Sequence, residues 1–251
     1  MKKIALLLGG TTLILLLLAG LTMAGEKRFT FVFEGGAAFS GMNDVRIPGD
    51  TGTLISLTKD FDSQAGFYGR LRLNWRVSPR STLSALYAPL TLKASGTART
   101  PVVFFEQTFP AGSPVEGSYT FNSYRLTYRY EFLRNERWTV GAGFTAKIRD
   151  AAISLESGNI RSEKTNVGFV PLLNFRAEYR GPGRWGFLFE ADALAAPQGR
   201  AEDVLAAVLF RVSPVMTLQA GYRIVEGGAD NDEVYNFALI HYAGIGILFD
   251  F

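Results

Sequence analysis

The last residues of the chain alternate between large apolar side chains and small or charged ones. Counted back from the C-terminus, every second position is apolar: Phe251, Phe249, Ile247 and Ile245. The residues between them are small or charged, with Leu248 as the exception. A period of two is the spacing of side chains on one face of a β-strand. The sequence therefore predicts a C-terminal strand with one apolar face.

Nine earlier segments repeat this alternation and are bounded by turn residues. In segment 66–77, for example, Leu71 and Leu73 alternate with Arg70 and Arg72, so one face is apolar and the other is charged. Segment 81–93 has the weakest pattern. The ten predicted strands cover residues 29–40, 66–77, 81–93, 123–132, 138–149, 167–180, 185–194, 204–212, 217–225 and 234–251.

The predicted connections alternate between short and long. Tight turns are expected at 78–80, 134–137, 181–183 and 213–214, and longer loops near 42–52, 96–117, 154–166, 195–203 and 226–233. An even number of strands brings both chain ends to the side of the short turns, which is the asymmetry of a membrane β-barrel. Segments 53–58 and 102–109 are also strand-like. They would either lengthen hairpins or add a pair and give twelve strands, whereas a misassigned weak segment would leave eight.

All three tryptophans lie on the predicted apolar face and close to a short turn. Trp75, Trp138 and Trp185, together with Phe249, are the expected aromatic girdle at a membrane interface. The alternative is a soluble β-sandwich with a tryptophan core. Such a fold would have to bury ten apolar faces while it solvated the charged faces of the same strands. The pattern therefore favours a barrel in a membrane.

An apolar last strand that ends on an aromatic residue resembles the closing strand of bacterial outer-membrane β-barrels. Segments 121–132, 194–204 and 221–238 are also similar to stretches of Gram-negative outer-membrane proteins. The resemblance implies an all-β, transmembrane, antiparallel up-and-down barrel, in which Phe251 is the assembly signal. It also implies the partners: the lipid bilayer, lipopolysaccharide and, during biogenesis, the barrel-assembly machinery. We expect a monomer in the bacterial outer membrane.

The N-terminus has the features of a secretory signal peptide. Positive residues at 1–3 precede an apolar stretch at 4–18, and small residues at 22–24 offer a cleavage site near Ala24. We therefore expect a signal peptide at 1–24 and one barrel domain at 25–251; a single-pass membrane anchor is the alternative. The sequence contains no cysteine, which excludes a lipoprotein anchor and disulfide bonds.

The net charge gives no reason to expect a nucleic-acid partner. The formal charge is +3 for the whole chain, and two of the positive residues, Lys2 and Lys3, belong to the predicted signal peptide. A mature chain near +1 has no strong electrostatic attraction to a polyanion.

The charged faces of the strands would point into the barrel. The predicted lumen charge network consists of Glu34, Arg70, Arg72, Arg125, Arg129, Glu131, Lys147, Arg149, Arg176, Glu178, Glu190, Asp192 and Arg223. With Arg76, Arg211 and Asp250, this assignment has ten cations and six anions. A narrow barrel is filled by its own side chains, so we expect a lumen plugged by ion pairs. The alternatives are a narrow, anion-leaning pore and a surface adhesin that binds through its loops.

The sequence contains no recognisable catalytic pattern. Its one histidine, His241, is followed two residues later by Ala243 and preceded two residues earlier by Leu239. A serine hydrolase among outer-membrane barrels would need a serine in place of Ala243, and a protease among them would need an aspartate in place of Leu239. We predict a non-enzymatic protein with no catalytic residue, no metal and no cofactor. The acidic segment 226–233 is expected to be a turn rather than a calcium site.

Overall fold

The computed structural model describes residues 28–197 and 199–251, so the predicted signal peptide lies outside the described residues. Fifteen strands are present in the described part of the chain. They are β1 (Phe29–Arg46), β2 (Ile55–Ser56), β3 (Asp62–Ser63), β4 (Gly66–Ser78), β5 (Ser81–Ala88), β6 (Thr91–Thr97), β7 (Val102–Phe104), β8 (Gln107–Phe109), β9 (Pro114–Arg134), β10 (Trp138–Ser157), β11 (Ile160–Arg180), β12 (Trp185–Ala196), β13 (Gly199–Arg211), β14 (Met216–Asp230) and β15 (Tyr235–Asp250).

The wall of the barrel has ten antiparallel segments, which we call staves, and they close on themselves as the sequence predicted. Going round the wall, the order is β1, β4, β5, β9, β10, β11, β12, β13, β14 and β15, and β15 then pairs with β1. Strands β5 and β6 form one stave, because both pair with β9 in the same register on either side of Pro89 and Leu90. Closure gives every stave two neighbours at its lower end and removes the free sheet edge there.

The last residue of the chain takes part in this closure. The amide of Phe251 donates a hydrogen bond of 2.8 Å to the Phe29 carbonyl, and the Phe251 carbonyl accepts one of 2.8 Å from the Arg28 amide. Both described ends and the four short turns therefore lie at one end of the barrel, which we call the periplasmic end. No helix within residues 28–197 and 199–251 is long and apolar enough to cross a membrane.

Three segments predicted as long loops are strand instead. The β10–β11 hairpin continues to Ser157 and Ile160, β12–β13 to Ala196 and Gly199, and β14–β15 to Asp230 and Tyr235. The prediction was wrong because the outward positions there are small or polar, so the period-two contrast disappears while the backbone pairing continues. The strands therefore project beyond the apolar belt.

Residues 53–58 and 102–109 add no stave. Strand β2 pairs with β1 over two residues, and β7 and β8 form a separate two-stranded hairpin. A β-bulge at Gly41, between Ser40 and Met42, shifts the register of β1 against β15. A Cβ atom at Gly41 would overlap the His241 ring, so the bulge needs a glycine here.

The outward face of the barrel is apolar over the middle of the staves. Phe67, Phe144 and Ile245 are more than two-thirds exposed there. The inward positions next to them are buried and mostly charged or polar. A soluble protein buries its apolar side chains and exposes its charged ones. Here the arrangement is reversed, as a barrel that faces lipid requires.

A charge placed on this belt should destabilise the barrel in lipid. We expect Phe144→Arg on β10 to lower the free energy of unfolding from bilayers by about 2–4 kcal/mol, because the guanidinium would sit in hydrocarbon. Ser154→Arg, on the same strand and the same face but above the belt, should change it by about 0–1 kcal/mol. Denaturant titration of the vesicle-folded variants measures both. Equal effects at the two positions would contradict the assignment of the belt.

Candidate functional site: the barrel interior

The centre of the interior is organised around Asp203. Its carboxylate is 3% exposed and forms ion pairs with Arg223 at 2.6 Å, Arg125 at 2.7 Å and Arg70 at 3.2 Å. These partners come from β14, β9 and β4, whereas Asp203 is on β13. One carboxylate therefore joins four staves of the wall.

Two further carboxylates complete this layer. Glu34 on β1 accepts from Arg223 at 2.9 Å, and Asp192 on β12 accepts from Arg125 at 2.8 Å. The second oxygen of Asp192 accepts from the Thr145 hydroxyl and the Asn174 amide, both at 2.8 Å. Because each oxygen of Asp192 has a donor, the charge is satisfied without bulk water.

A second set of ion pairs lies nearer the periplasmic end. Glu190 accepts from Arg72 at 2.6 Å and from Arg176 at 2.8 Å, and Arg176 also binds Glu178 at 3.0 Å. Glu178 accepts from Arg180 at 2.9 Å as well. Arg72 is on β4 and Glu190 is on β12, which are five staves apart in either direction round the ten-stave wall. This contact therefore spans the full width of the lumen.

We call these ten side chains the lumen network: Glu34, Arg70, Arg72, Arg125, Arg176, Glu178, Glu190, Asp192, Asp203 and Arg223. It contains five arginines and five carboxylates. Arginine suits such a network because its planar fork can bind two carboxylates at once. Buried charges are tolerated when they are paired, and removal of one partner leaves the others in a low-dielectric site.

Four predicted members lie outside the lumen network. Glu131 pairs with Arg134 at 2.8 Å at the periplasmic end, and Arg129 donates to the Asn174 amide oxygen at 3.4 Å. Lys147 and Arg149 lie above the network, on the side away from the periplasmic turns, and line a separate cavity. Arg211, also expected to face inward, is exposed at the end of β13 and lines a polar cavity at the periplasmic end together with Arg76 and Glu178.

Asp203 was missed at the sequence level although it is the centre of the network. Segment 195–203 read as a loop, so Asp203 was left outside the strands. The sequence did contain one signal: Asp203 continues the two-residue spacing of Leu205, Ala207 and Leu209. In the structure these four residues share one face of β13, and all are buried. With Asp203 added to the predicted inward residues, there are ten cations and seven anions, so the predicted excess of four positive charges falls to three.

Apolar side chains from two loops fill much of the interior above the lumen network. Loop 47–65 and the β7–β8 hairpin fold into the barrel mouth, where they pack against inward side chains of the staves such as Leu92, Leu155 and Ile240. We call their buried residues the mouth plug: Ile47, Ile55, Leu57, Phe61, Val102, Phe104 and Phe109.

Hydrogen bonds fix the mouth plug to the wall. The Phe105 amide donates to the Ile47 carbonyl at 2.7 Å, and the Thr53 amide donates to the Val103 carbonyl at 2.9 Å. The Ser162 hydroxyl of β11 donates to the Phe104 carbonyl at 3.1 Å. The hairpin is therefore held inside the mouth rather than displayed outside it.

The predicted girdle residues lie on the outer surface near the periplasmic turns. Trp75, Trp138 and Trp185 are 44%, 43% and 60% exposed. Each indole packs against an aromatic neighbour on an adjoining strand: Trp75 is stacked on Phe29, whereas Trp138 and Trp185 are tilted against Tyr179 and Phe210. Phe249 is partly buried next to the last turn of the barrel.

The single histidine faces away from the interior. His241 stacks on Phe39 with ring centroids 5.2 Å apart, and its Nδ1 lies 2.6 Å from the Tyr222 hydroxyl. Both partners are outward-facing residues of neighbouring staves. His241 therefore cannot act together with the carboxylates of the lumen.

The acidic turn between β14 and β15 is built by an asparagine. The side-chain oxygen of Asn231 accepts from the Glu233 amide at 3.1 Å and from the Val234 amide at 2.9 Å, which is ordinary turn chemistry. Across the described ranges, no group of three or more acidic, histidine or cysteine side chains has the arrangement of a metal site.

Comparison with known proteins identifies the fold. No protein family and no curated protein sequence matches the chain. Among solved structures, the outer-membrane protease OmpT from Escherichia coli matches with a TM-score of 0.59 over 92% of this chain and 99% of that one, at 10% identity. The transport unit of the autotransporter AIDA-I from Escherichia coli matches with a TM-score of 0.50 over 92% of each chain, at 7% identity.

This is an outer-membrane β-barrel fold. At such low identity the two structures establish the architecture alone, and their activities differ. The interior of this barrel must therefore be interpreted from its own residues.

Loss of the Asp203 charge should destabilise the barrel strongly. We expect Asp203→Asn to lower the free energy of unfolding by about 3–5 kcal/mol, because Arg70, Arg125 and Arg223 would then share too few carboxylates in a buried site. The neighbouring Glu202→Gln faces outward and is exposed, and it should change stability by about 0–1 kcal/mol. Denaturant unfolding of both variants is the measurement. A similarly small loss for Asp203→Asn would contradict the shared role of this carboxylate.

Proposed function

We propose that the protein is a non-conducting, non-enzymatic barrel of the bacterial outer membrane, closed at two levels along its axis. The observation that carries this proposal is the Arg72–Glu190 ion pair, which joins diametrically opposite staves. A solvated ion passing along the lumen would have to break this pair and the contacts of Asp203 above it. Desolvated charge pairs of this kind resist separation because each partner would be left uncompensated.

The mouth plug supports the same conclusion from the other end. Phe104 and Phe109 are fully buried, and Ile47 is 1% exposed. A channel for ions would require polar groups along its whole path, whereas this layer is packed with hydrocarbon. The anion-leaning pore is the alternative that this arrangement disfavours.

The residues that the structure describes bring no reactive set of side chains together in the interior, which supports the non-enzymatic part of the proposal. The carboxylates of the lumen network are each held by arginine, and the one histidine is on the outer surface. A general base needs a free position within hydrogen-bond reach of a substrate. A surface role through the loops is less favoured than closure, because the β7–β8 hairpin is folded inward.

The apolar belt and the tryptophans near the periplasmic turns support residence in the outer membrane, with lipid and lipopolysaccharide around the barrel. Removal of residues 1–24 and recognition of Phe251 by the assembly machinery stay predictions from the sequence. So does the monomeric state.

Planar-bilayer recording tests closure of the lumen. Wild-type protein refolded into lipid should give no discrete conductance steps, because both layers block the path of an ion. A sixteen-stranded porin reconstituted in the same way should conduct and shows that the assay works. Circular dichroism of the same preparation confirms that the protein is folded. Regular unitary steps from folded protein would contradict a closed lumen and favour the narrow pore.

A further inference from the structure

One part of the barrel wall is open above the membrane belt. Strand β11 runs from Ile160 to Arg180, but its pairing with β12 covers only residues 173–180. On the other side, β11 pairs with β10 along its whole length. Within the described residues, no strand pairs with 160–172 on the β12 side. The wall therefore has a lateral gap between the upper part of β11 and the β12–β13 hairpin.

The sequence at the gap explains why the ladder stops. The uppermost pair of this ladder is Leu173 with Ala193. Pro171 precedes Leu173 by two residues and lies just beyond the end of the ladder. Proline has no amide hydrogen and is found in sheets chiefly on edge strands. The β12–β13 hairpin also ends early, at Ala196 and Gly199, so it is too short to accompany β11 to its tip.

A cavity of about 800 Å³ lies behind this gap. That volume is within the range of about 300–1,000 Å³ that is typical of small-molecule sites. Much of its wall is apolar and comes from inward side chains of six staves: Phe121, Ile153, Val170, Leu194, Val225 and Ile240. Pro171 and Phe169 at the edge of β11 also line it, so the cavity reaches the gap.

Two cations line the cavity without a carboxylate partner in the described residues. Lys147 is 3% exposed, and its ammonium group has no hydrogen bond or ion pair there; it lies 4.7 Å above the ring of Phe121. Arg149 donates to the neutral Asn166 side chain, and its buried Nε has no partner. Positive charges that are held out of water without counter-ions lower the stability of the fold. An anion bound beside Lys147 and Arg149 would offset this cost.

The carboxylates around the cavity do not neutralise these two cations. Glu233 pairs with Lys164 at 3.3 Å, and Glu226 accepts from the Arg200 Nε at 2.9 Å. Lys164 also lies 5.1 Å above the Phe105 ring, so it joins the β14–β15 turn to the mouth plug. The third carboxylate that lines the cavity, Asp232, is exposed in the β14–β15 turn and forms no ion pair with Lys147 or Arg149 among the described residues.

The two rims of the gap differ in polarity. Phe169 and Val167 on the β11 side are 64% and 69% exposed and face outward. The β13–β14 side carries the Arg200–Glu226 pair. An apolar rim beside a charged one suits a molecule that has both a hydrocarbon body and a charged head.

We propose that this cavity binds an anionic amphiphile, with its carboxylate or phosphate head at Lys147 and Arg149 and its hydrocarbon body along the apolar wall. The molecule passes through the gap between β11 and β12. Such a ligand comes either from the surrounding membrane as an anionic lipid or from outside as a free amphiphile. The site is separate from the lumen network, so it does not depend on whether the lumen conducts.

Binding of radiolabelled laurate to nanodisc-embedded protein, corrected for empty nanodiscs, tests the proposal. We expect saturable binding of laurate and of dodecyl phosphate. Dodecanol, which lacks the charge, should bind at least about tenfold more weakly, and acetate and inorganic phosphate, which lack the chain, should not bind measurably. Equal binding of laurate and dodecanol, or no excess over empty nanodiscs, would overturn the proposal.

Two matched pairs of variants locate the site. Lys147→Met should weaken laurate binding at least about tenfold without loss of stability, because it removes an unpaired buried charge. Lys93→Met, at an exposed lysine on β6, should leave binding unchanged.

Ala151→Trp would fill the cavity from β10 and should abolish binding, whereas Ala152→Trp on the outer face should not. Unchanged binding in a folded Lys147→Met or Ala151→Trp protein would place the ligand elsewhere and overturn the assignment.

The lipid composition of the nanodisc distinguishes the two sources. If phosphatidylglycerol nanodiscs bind less laurate than phosphatidylcholine nanodiscs do, and Lys147→Met abolishes the difference, an anionic membrane lipid occupies the cavity. If binding is the same in both, the site takes the free amphiphile. Both results support the site, and conductance recordings on the same preparation report separately on the lumen.

Discussion

A guanidinium that points into a ten-stranded barrel has no bulk water in which to keep its charge. It must find a carboxylate across the lumen, and the rest of the structure follows from that need. Asp203 meets three arginines, Glu190 meets two, and the contact of Arg72 with Glu190 crosses the whole barrel. The same contacts that make the charges tolerable also hold opposite staves at a fixed distance.

This constraint divides the interior into different chemical zones. At the level of the apolar belt, the inward positions are charged and paired. Above it the staves extend beyond the belt, and the interior is filled by hydrocarbon from the mouth plug. The cavity behind the β11–β12 gap is where the two zones meet, so it combines unpaired cations with an apolar wall. Its amphipathic character is a consequence of its height in the barrel.

The architecture was predictable because the strands of a lipid-facing barrel alternate clearly between apolar and charged residues. Phe31 and Phe33 against Glu34, or Leu71 and Leu73 against Arg70 and Arg72, give the strand, its faces and the direction of the lumen together. The short turns followed from the same alternation, and the closing role of the last strand followed from its resemblance to the last strand of outer-membrane barrels. Where one face meets lipid and the other a charged interior, few other folds are compatible with the sequence.

The remainder was not predictable, for local reasons. Above the belt the contrast between the two faces disappears, so the upper parts of β10, β11, β13 and β14 were predicted as loops, and Asp203 was missed with one of them. Segment 81–93 has a weak pattern because Leu86, Leu90 and Leu92 face inward while Leu83 and Tyr87 face outward, so both faces carry large apolar side chains. The lateral gap depends on which residues of β11 lack a partner, and a single sequence does not specify strand pairing at that level of detail.

The most direct test of the closed interior is a double-mutant cycle between Arg72 and Glu190. Arg72→Met, Glu190→Gln and the double variant would be compared by denaturant unfolding, with the exposed Arg161–Glu163 pair as a control. A packed lumen predicts a coupling energy of about 1.5–3 kcal/mol for the first pair and about 0–1 kcal/mol for the control. Coupling across the lumen no larger than that of the control would mean that water separates the two walls, and the account would be wrong.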